Sequence, residues 1–386
     1  MLGTATTLRE ASTGAPALAR SARRLEYLDA LRVALIVLVV AHHAGQAYGP
    51  GSRGVWPVSD PHTAAIFSAF FSVNAAFFMG LFFLVSAFFV PASFDRKGPR
   101  TFLKDRFVRL GVPLVVVLLI GELAALARPA LTTGAPGSFA ARLVDSVSEY
   151  AVGQQYPGHL WFVEHLLVYA VLYAVWRRLS VHRSFGALPV PGNAAIVGYA
   201  VALGLVTFVV RIEYPINRWA YLFGLVFSEV GHLPQYASLF VIGLLAARGQ
   251  WLQRMPTRRG LLWLGIGLAA AAARYLLPIG TPGGFNVGSF IWSLVEAFIA
   301  SGLCLGLIVL FRTCLAAPGR LLLLAAPNTY GVYIIHLFVV LALQLAFLAL
   351  AAPVLLKFGL VTSIAVLLSF GLTALLRQVP AVRAVL

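Results

Sequence analysis

Apolar runs of about twenty residues recur along almost the whole chain, and no other feature constrains the fold as tightly. Lipid offers the backbone no hydrogen-bond partners, so runs of this length fold as helices. Ten spans are placed at 29–48, 63–90, 108–127, 159–177, 194–211, 233–248, 260–277, 288–311, 329–350 and 354–376. No stretch between them is long enough for a soluble domain. The expected fold class is therefore all-α: a polytopic membrane protein of about ten transmembrane helices, with a single domain over 25–378. Residues 1–24, rich in Ala, Ser, Thr and Arg, are expected to form a disordered cytoplasmic tail rather than a cleaved leader, with 379–386 as a second cytoplasmic tail. The short apolar stretch 217–229 is expected to be an interfacial or re-entrant helix, with an extra span as the alternative.

Charge sets the orientation. With the N-terminus cytoplasmic, 22 of the 29 Lys and Arg fall on the inner side, including Arg96, Lys97, Arg100, Lys104, Arg106 and Arg109. The outer side receives Arg53, Arg128, Arg142, Arg211, Arg218, Arg274 and Lys357. This asymmetry puts both termini in the cytoplasm and accounts for the net charge of +16 without nucleic acid. Cys304 and Cys314 lie about 15 Å apart along one expected helix, too far for a bridge. No metal-ligand spacing is visible. The longest outer loop, 128–157, carries a short amphipathic helix at 139–150 and reads either as a lid or acceptor-binding element or as a plain connector.

Ionisable groups inside spans are costly and point to function. Arg32 and His43 share one face of the first span to within roughly 20°, about 16 Å apart. Arg32 reads either as an anchor paired with Asp29 or as a group facing a polar passage. Toward the outer side lie His43, Glu122, Glu164 and Glu296; toward the inner side lie Arg32, Arg106, Arg109 and, deeper, His336. A carboxylate can hold one imidazole nitrogen as donor and leave the other free to take a proton. Glu164 is the expected partner of His43, because Trp161, His159 and His165 gather at the same mouth. Glu122 and Glu296 read equally as packing residues. Arg106 and Arg109 form an R-x-x-R pair suited to phosphate, though juxtamembrane arginines also serve as topology anchors. Tyr330, Tyr333 and His336 fall along one stripe of the ninth span.

Six short motifs now stand in order. They are Arg32 with His43 (R-x10-H), Phe82-Phe83-Leu84-Val85-Ser86-Ala87-Phe88, Arg106-Phe107-Val108-Arg109, His159-Leu160-Trp161-Phe162, Phe240-Val241-Ile242-Gly243, and Tyr330-Gly331-Val332-Tyr333-Ile334-Ile335-His336. Together they resemble the acyltransferase-3 integral-membrane proteins, with Ala87 where that family usually has Gly. The His42-His43 pair, Tyr48 and the H-L-W-F entrance are most similar to the glucan-modifying branch.

The resemblance implies an O-acyltransferase of the cell (cytoplasmic) membrane. It implies acetyl-CoA or another acyl-CoA as donor, no metal, and a glycan or small-molecule hydroxyl, such as a macrolide's, as acceptor. His43 would be the base or transient acyl carrier, with Arg32 and Glu164 beside it. Arg106, Arg109, Tyr330, Tyr333 and His336 would serve the donor. Trp161, His159, Glu122 and Glu296 would serve the acceptor. The partners are acyl-CoA, the acceptor and the bilayer, with self-association left open. A transporter using the same polar residues is the rival from another class.

Overall fold

The computed structural model describes residues 14–53, 55–135, 137–150, 157–180, 188–277, 280 and 283–386. Most of the expected N-terminal tail, residues 1–13, lies outside them. The chain is helical almost throughout. Helix α1 (Gly14–Gln46) runs through the middle and buries Leu28, Leu31, Leu35, Ile36, Val39 and Val40. It packs against α3 (Phe78–Phe88), α12 (Val287–Cys314), α14 (Thr329–Phe347) and α15 (Val354–Leu376). The second span is α2 (Ile66–Ala75) followed by α3. Helix α4 (Val90–Arg106) carries the basic loop and breaks at Gly98, whose φ of 74° precedes Pro99. A π turn over Phe107–Gly111 leads into α5 (Val112–Gly134). Helix α5 turns Val115, Leu119, Leu123 and Leu126 outward at i, i+4, i+8 and i+11, a lipid-facing stripe. The amphipathic segment of the long loop is α6 (Phe139–Ser148), with Ser138 capping it by accepting from Ala141 N.

Helices α7 (Trp161–Leu179), α8 (Asn193–Glu213), α9 (Leu233–Gly249), α10 (Trp251–Arg254), α11 (Thr257–Leu276), α13 (Arg320–Ala325) and α16 (Pro380–Val385) complete the set. Nine helical runs among the described residues are long and apolar enough to cross a membrane. The tenth expected span is present as α11. Its three arginines, Arg258, Arg259 and Arg274, leave it less apolar than the rest. Cys304 and Cys314 are free.

The stretch 217–229 is not a helix. It is an antiparallel hairpin of β1 (Trp219–Leu222) and β2 (Val226–Glu229), with Trp219 opposite Glu229. Aromatic and β-branched residues favour the extended backbone. Phe223 and Gly224 turn it with φ of 53° and 70°.

Two of the ordered motifs meet where α3 crosses α9. A Cβ on Gly243 would stand 2.3 Å from the Leu84 carbonyl oxygen and 2.7 Å from the Ala87 Cβ. The close approach expected of the glycine that Ala87 replaces is thus supplied from the facing helix. Gly243→Ala is expected to cost about 1–3 kcal/mol, because neither backbone can give way. Thermal unfolding of the detergent-purified protein measures this.

Candidate functional site

The site is built where α1 ends. A helix leaves its last four carbonyls without helical donors, here those from His43 onward. The Gln344 side-chain amide of α14 donates to the His43 carbonyl at 3.1 Å and the Ala44 carbonyl at 3.0 Å. Its oxygen accepts from Trp56 Nε1 at 2.9 Å. Trp56 belongs to the strap that follows α1, described over residues 47–53 and 55–65. Its ring lies against His43, centroids 5.8 Å apart and planes 18° apart. The strap is fastened at Asp60, whose amide donates to the Ala47 carbonyl. The Asp60 carboxylate accepts from Lys357 Nζ at 2.7 Å, with both side chains buried. Lys357, assigned to the outer loops by charge counting, is therefore paired inside the protein, one turn into α15.

His43 does not meet Glu164. Its Nδ1 stands 2.9 Å from Nε2 of His336. The reason is the start of the ninth span. Arg320 to Phe347 forms one helical run, so His336 lies about 24 Å from its beginning, and His43 lies about 26 Å from Glu26 in the first span. Starting that span at 329 put His336 too near the inner side.

The proton positions follow from the acceptors. Nδ1 of His336 faces the carbonyls of Tyr333 at 2.7 Å and Val332 at 3.1 Å. A carbonyl only accepts, so this nitrogen carries the hydrogen, and in the neutral ring Nε2 carries the lone pair. Nδ1 of His43 then donates to it, and Nε2 of His43 keeps a lone pair. Two peptide carbonyls thus do what a carboxylate does in the expected acid–imidazole pair.

A third imidazole joins them. His159 stands edge-on to His336, centroids 5.2 Å apart. Its Nε2 donates to the Ile334 carbonyl at 2.9 Å, and its own carbonyl accepts from the Tyr333 hydroxyl. Its Nδ1 is buried without a hydrogen-bond partner. Outside the spans, Tyr150 closes this side, edge-on to Trp56, and burial pushes its phenol well above the usual range. His42 points elsewhere: it meets Gln46 at 3.2 Å and the rings of Phe71 and Phe78.

The remaining expected residues fall into separate groups. Arg32 pairs with Asp29 at 2.7 Å and lies over the Phe89 ring, its side chain partly buried. Arg106 lies over Phe102, and Arg109 is exposed, its backbone carbonyl accepting from the Tyr330 hydroxyl. Glu164 accepts from Phe227 N of the hairpin at 3.1 Å. Trp161 packs on Tyr236 and Trp219. Glu122 is exposed on α5.

Glu296 is held by a bidentate Arg211, at 2.7 and 2.9 Å, and by His232 at 2.9 Å. His232 bridges on to Glu229, also at 2.9 Å, and that carboxylate accepts from Asn217 N. This buried network fastens the hairpin to α8 and α12. Sequence reasoning missed Gln344, Trp56 and Arg211; a glutamine inside an apolar span was the available signal.

Among the described residues, no group of three or more His, Cys, Asp or Glu is placed to hold a metal ion. Residues 25–375 match a family model described as an acyltransferase domain. Neither the curated proteins nor the solved structures give a match. The match covers nearly the whole chain and all six motifs, and the chain belongs to the acyltransferase-3 family of multi-pass membrane acyltransferases.

Proposed function

We propose that this acyltransferase moves an acetyl or succinyl group from cytoplasmic acyl-CoA to a hydroxyl of an extracytoplasmic or membrane-associated glycan, in the cytoplasmic membrane. The observation that carries this reading is the His43–His336 pair with one imidazole lone pair left over. Nε2 of His43 takes the proton as the acceptor oxygen attacks the thioester carbonyl. The carbon–sulfur bond breaks, and the coenzyme A thiolate leaves and is protonated. His336 accepts from the Nδ1–H of the imidazolium and stabilises it, as an orienting residue. Arg106 and Arg109 hold the donor's phosphates at the inner mouth, and Arg32 stands on the donor's route. The hydroxyl enters from the side of the strap. A shallow outer cleft there is bordered by Arg53, Ser59, Pro61, Arg142, Leu348 and Ala349.

His336→Leu is expected to lower kcat by roughly tenfold, less than loss of His43, because the base stays but its tautomer is no longer set. The direct test is thioester consumption. Purified protein given acetyl-CoA and a glucan oligosaccharide should release free coenzyme A together with acylated oligosaccharide. Absence of release across glycan and macrolide acceptors, with transport of either, would instead support the exporter reading.

A further inference from the structure

Arg106 is the last residue of α4, and Arg109 sits beyond it on backbone that is not α-helical. The backbone between α4 and α5 widens into the π turn over Phe107–Gly111, a feature that recurs at functional sites. The cause lies just beyond it. Pro113 has no N–H to offer the carbonyl of Arg109 four residues earlier, and its ring crowds that carbonyl. The open carbonyl is taken by Tyr330 of α14, whose hydroxyl donates to it at 2.5 Å across 221 residues of sequence. In an α-helix the two arginines would lie about 60° apart around the axis. A wider turn advances less per residue and spreads them further.

We propose that Tyr330 is a positioning residue: its hydroxyl holds the π turn that spreads the Arg106 and Arg109 guanidiniums for a donor carrying more than one phosphate group. This rests on the reading of those arginines as the donor clamp. Tyr330 and His336 lie six residues apart on α14, about 9 Å along its axis. One helix therefore fixes both the arginine turn and the imidazole that orients His43. Tyr330 thus links the arginine turn, which also packs on α7 and α16, to the helix that carries His336, an arrangement that suits a donor with a long arm between its phosphates and its thioester.

Equilibrium binding of coenzyme A and steady-state kinetics on detergent-purified Arg106→Ala, Tyr330→Phe, Pro113→Ala and the Tyr330→Phe/Pro113→Ala pair test this. Tyr330→Phe is expected to weaken coenzyme A binding about tenfold and raise the donor KM equally, while kcat at saturating donor falls by less than about twofold. Pro113→Ala returns an N–H to the Arg109 carbonyl and closes the turn, with a similar loss. The double variant should be no worse than Pro113→Ala, because the hydroxyl has already lost its acceptor. Unchanged binding in Arg106→Ala overturns the clamp and this inference together. Loss in Arg106→Ala with wild-type binding in Tyr330→Phe and Pro113→Ala overturns the inference and leaves the clamp standing. Losses that multiply in the double variant, or a fall in kcat without a change in binding, also overturn it. If Tyr330→Phe does not fold, Pro113→Ala decides the question alone.

Discussion

His43→Ala is expected to lower acyl transfer by about 10²–10⁴-fold, with membrane insertion and thermal unfolding close to wild type. The loss follows from the hydrogen bonds around the ring. His43 Nδ1 is committed to His336, and only Nε2 remains to take a proton. His42 is the internal control. It lies about 100° around the same helix, among phenylalanine rings, so His42→Ala should retain activity within about threefold of wild type. Coenzyme A release by the purified variants measures both. Equal losses in the two variants would mean that the end of α1, not the His43 imidazole, is what matters.

Arg211→Ala is expected to destabilise the protein by about 3–5 kcal/mol, the largest stability effect we expect. Arg211 is fully buried, and its removal leaves His232 as the cation that Glu296 and Glu229 share, with neutral donors only from Trp292 Nε1 and Asn217 N. Replacing both partners, as Arg211→Met with Glu296→Leu, should recover part of the loss, because no carboxylate is then stranded at that position. Activity per folded molecule should survive the double change, since the hydrogen bonds and ion pairs of this network run among Arg211, Glu296, His232, Glu229 and Asn217 and not to His43 or His336. Thermal unfolding and specific activity of the same samples separate the two roles open to Glu296. A specific fall in acceptor KM-dependent activity at unchanged stability would return Glu296 to the acceptor site.

The sequence made the helical architecture and the six motifs legible, because span length, hydropathy and cation asymmetry are local properties. Which polar side chains meet was not legible, because it depends on where each helix starts and how it packs. The depth of His336 depends on where its helical run begins, and the apolar residues 320–328 extend that run. Glu164 was paired with His43 because both lie near one mouth, yet the hairpin edge needs an acceptor for Phe227 N and takes that carboxylate. The hairpin is hard to tell from a short helix by length and apolarity, and the aromatic residues Trp219, Tyr221 and Phe227 in its strands are the signal for extended backbone. Lys357 was counted as an outer anchor, and its pairing with Asp60 across 297 residues has no sequence signature.

In the proposed reaction the histidine pair joins a cytoplasmic thioester to a hydroxyl presented from the opposite side. Protein reconstituted into sealed vesicles, with acyl-labelled acetyl-CoA outside and a glucan oligosaccharide trapped inside, tests it most directly. Labelled oligosaccharide is expected in the lumen, matched by free coenzyme A outside, and neither with His43→Ala. Label on the oligosaccharide only when donor and acceptor share one compartment, or lumenal label undiminished in His43→Ala, would contradict it.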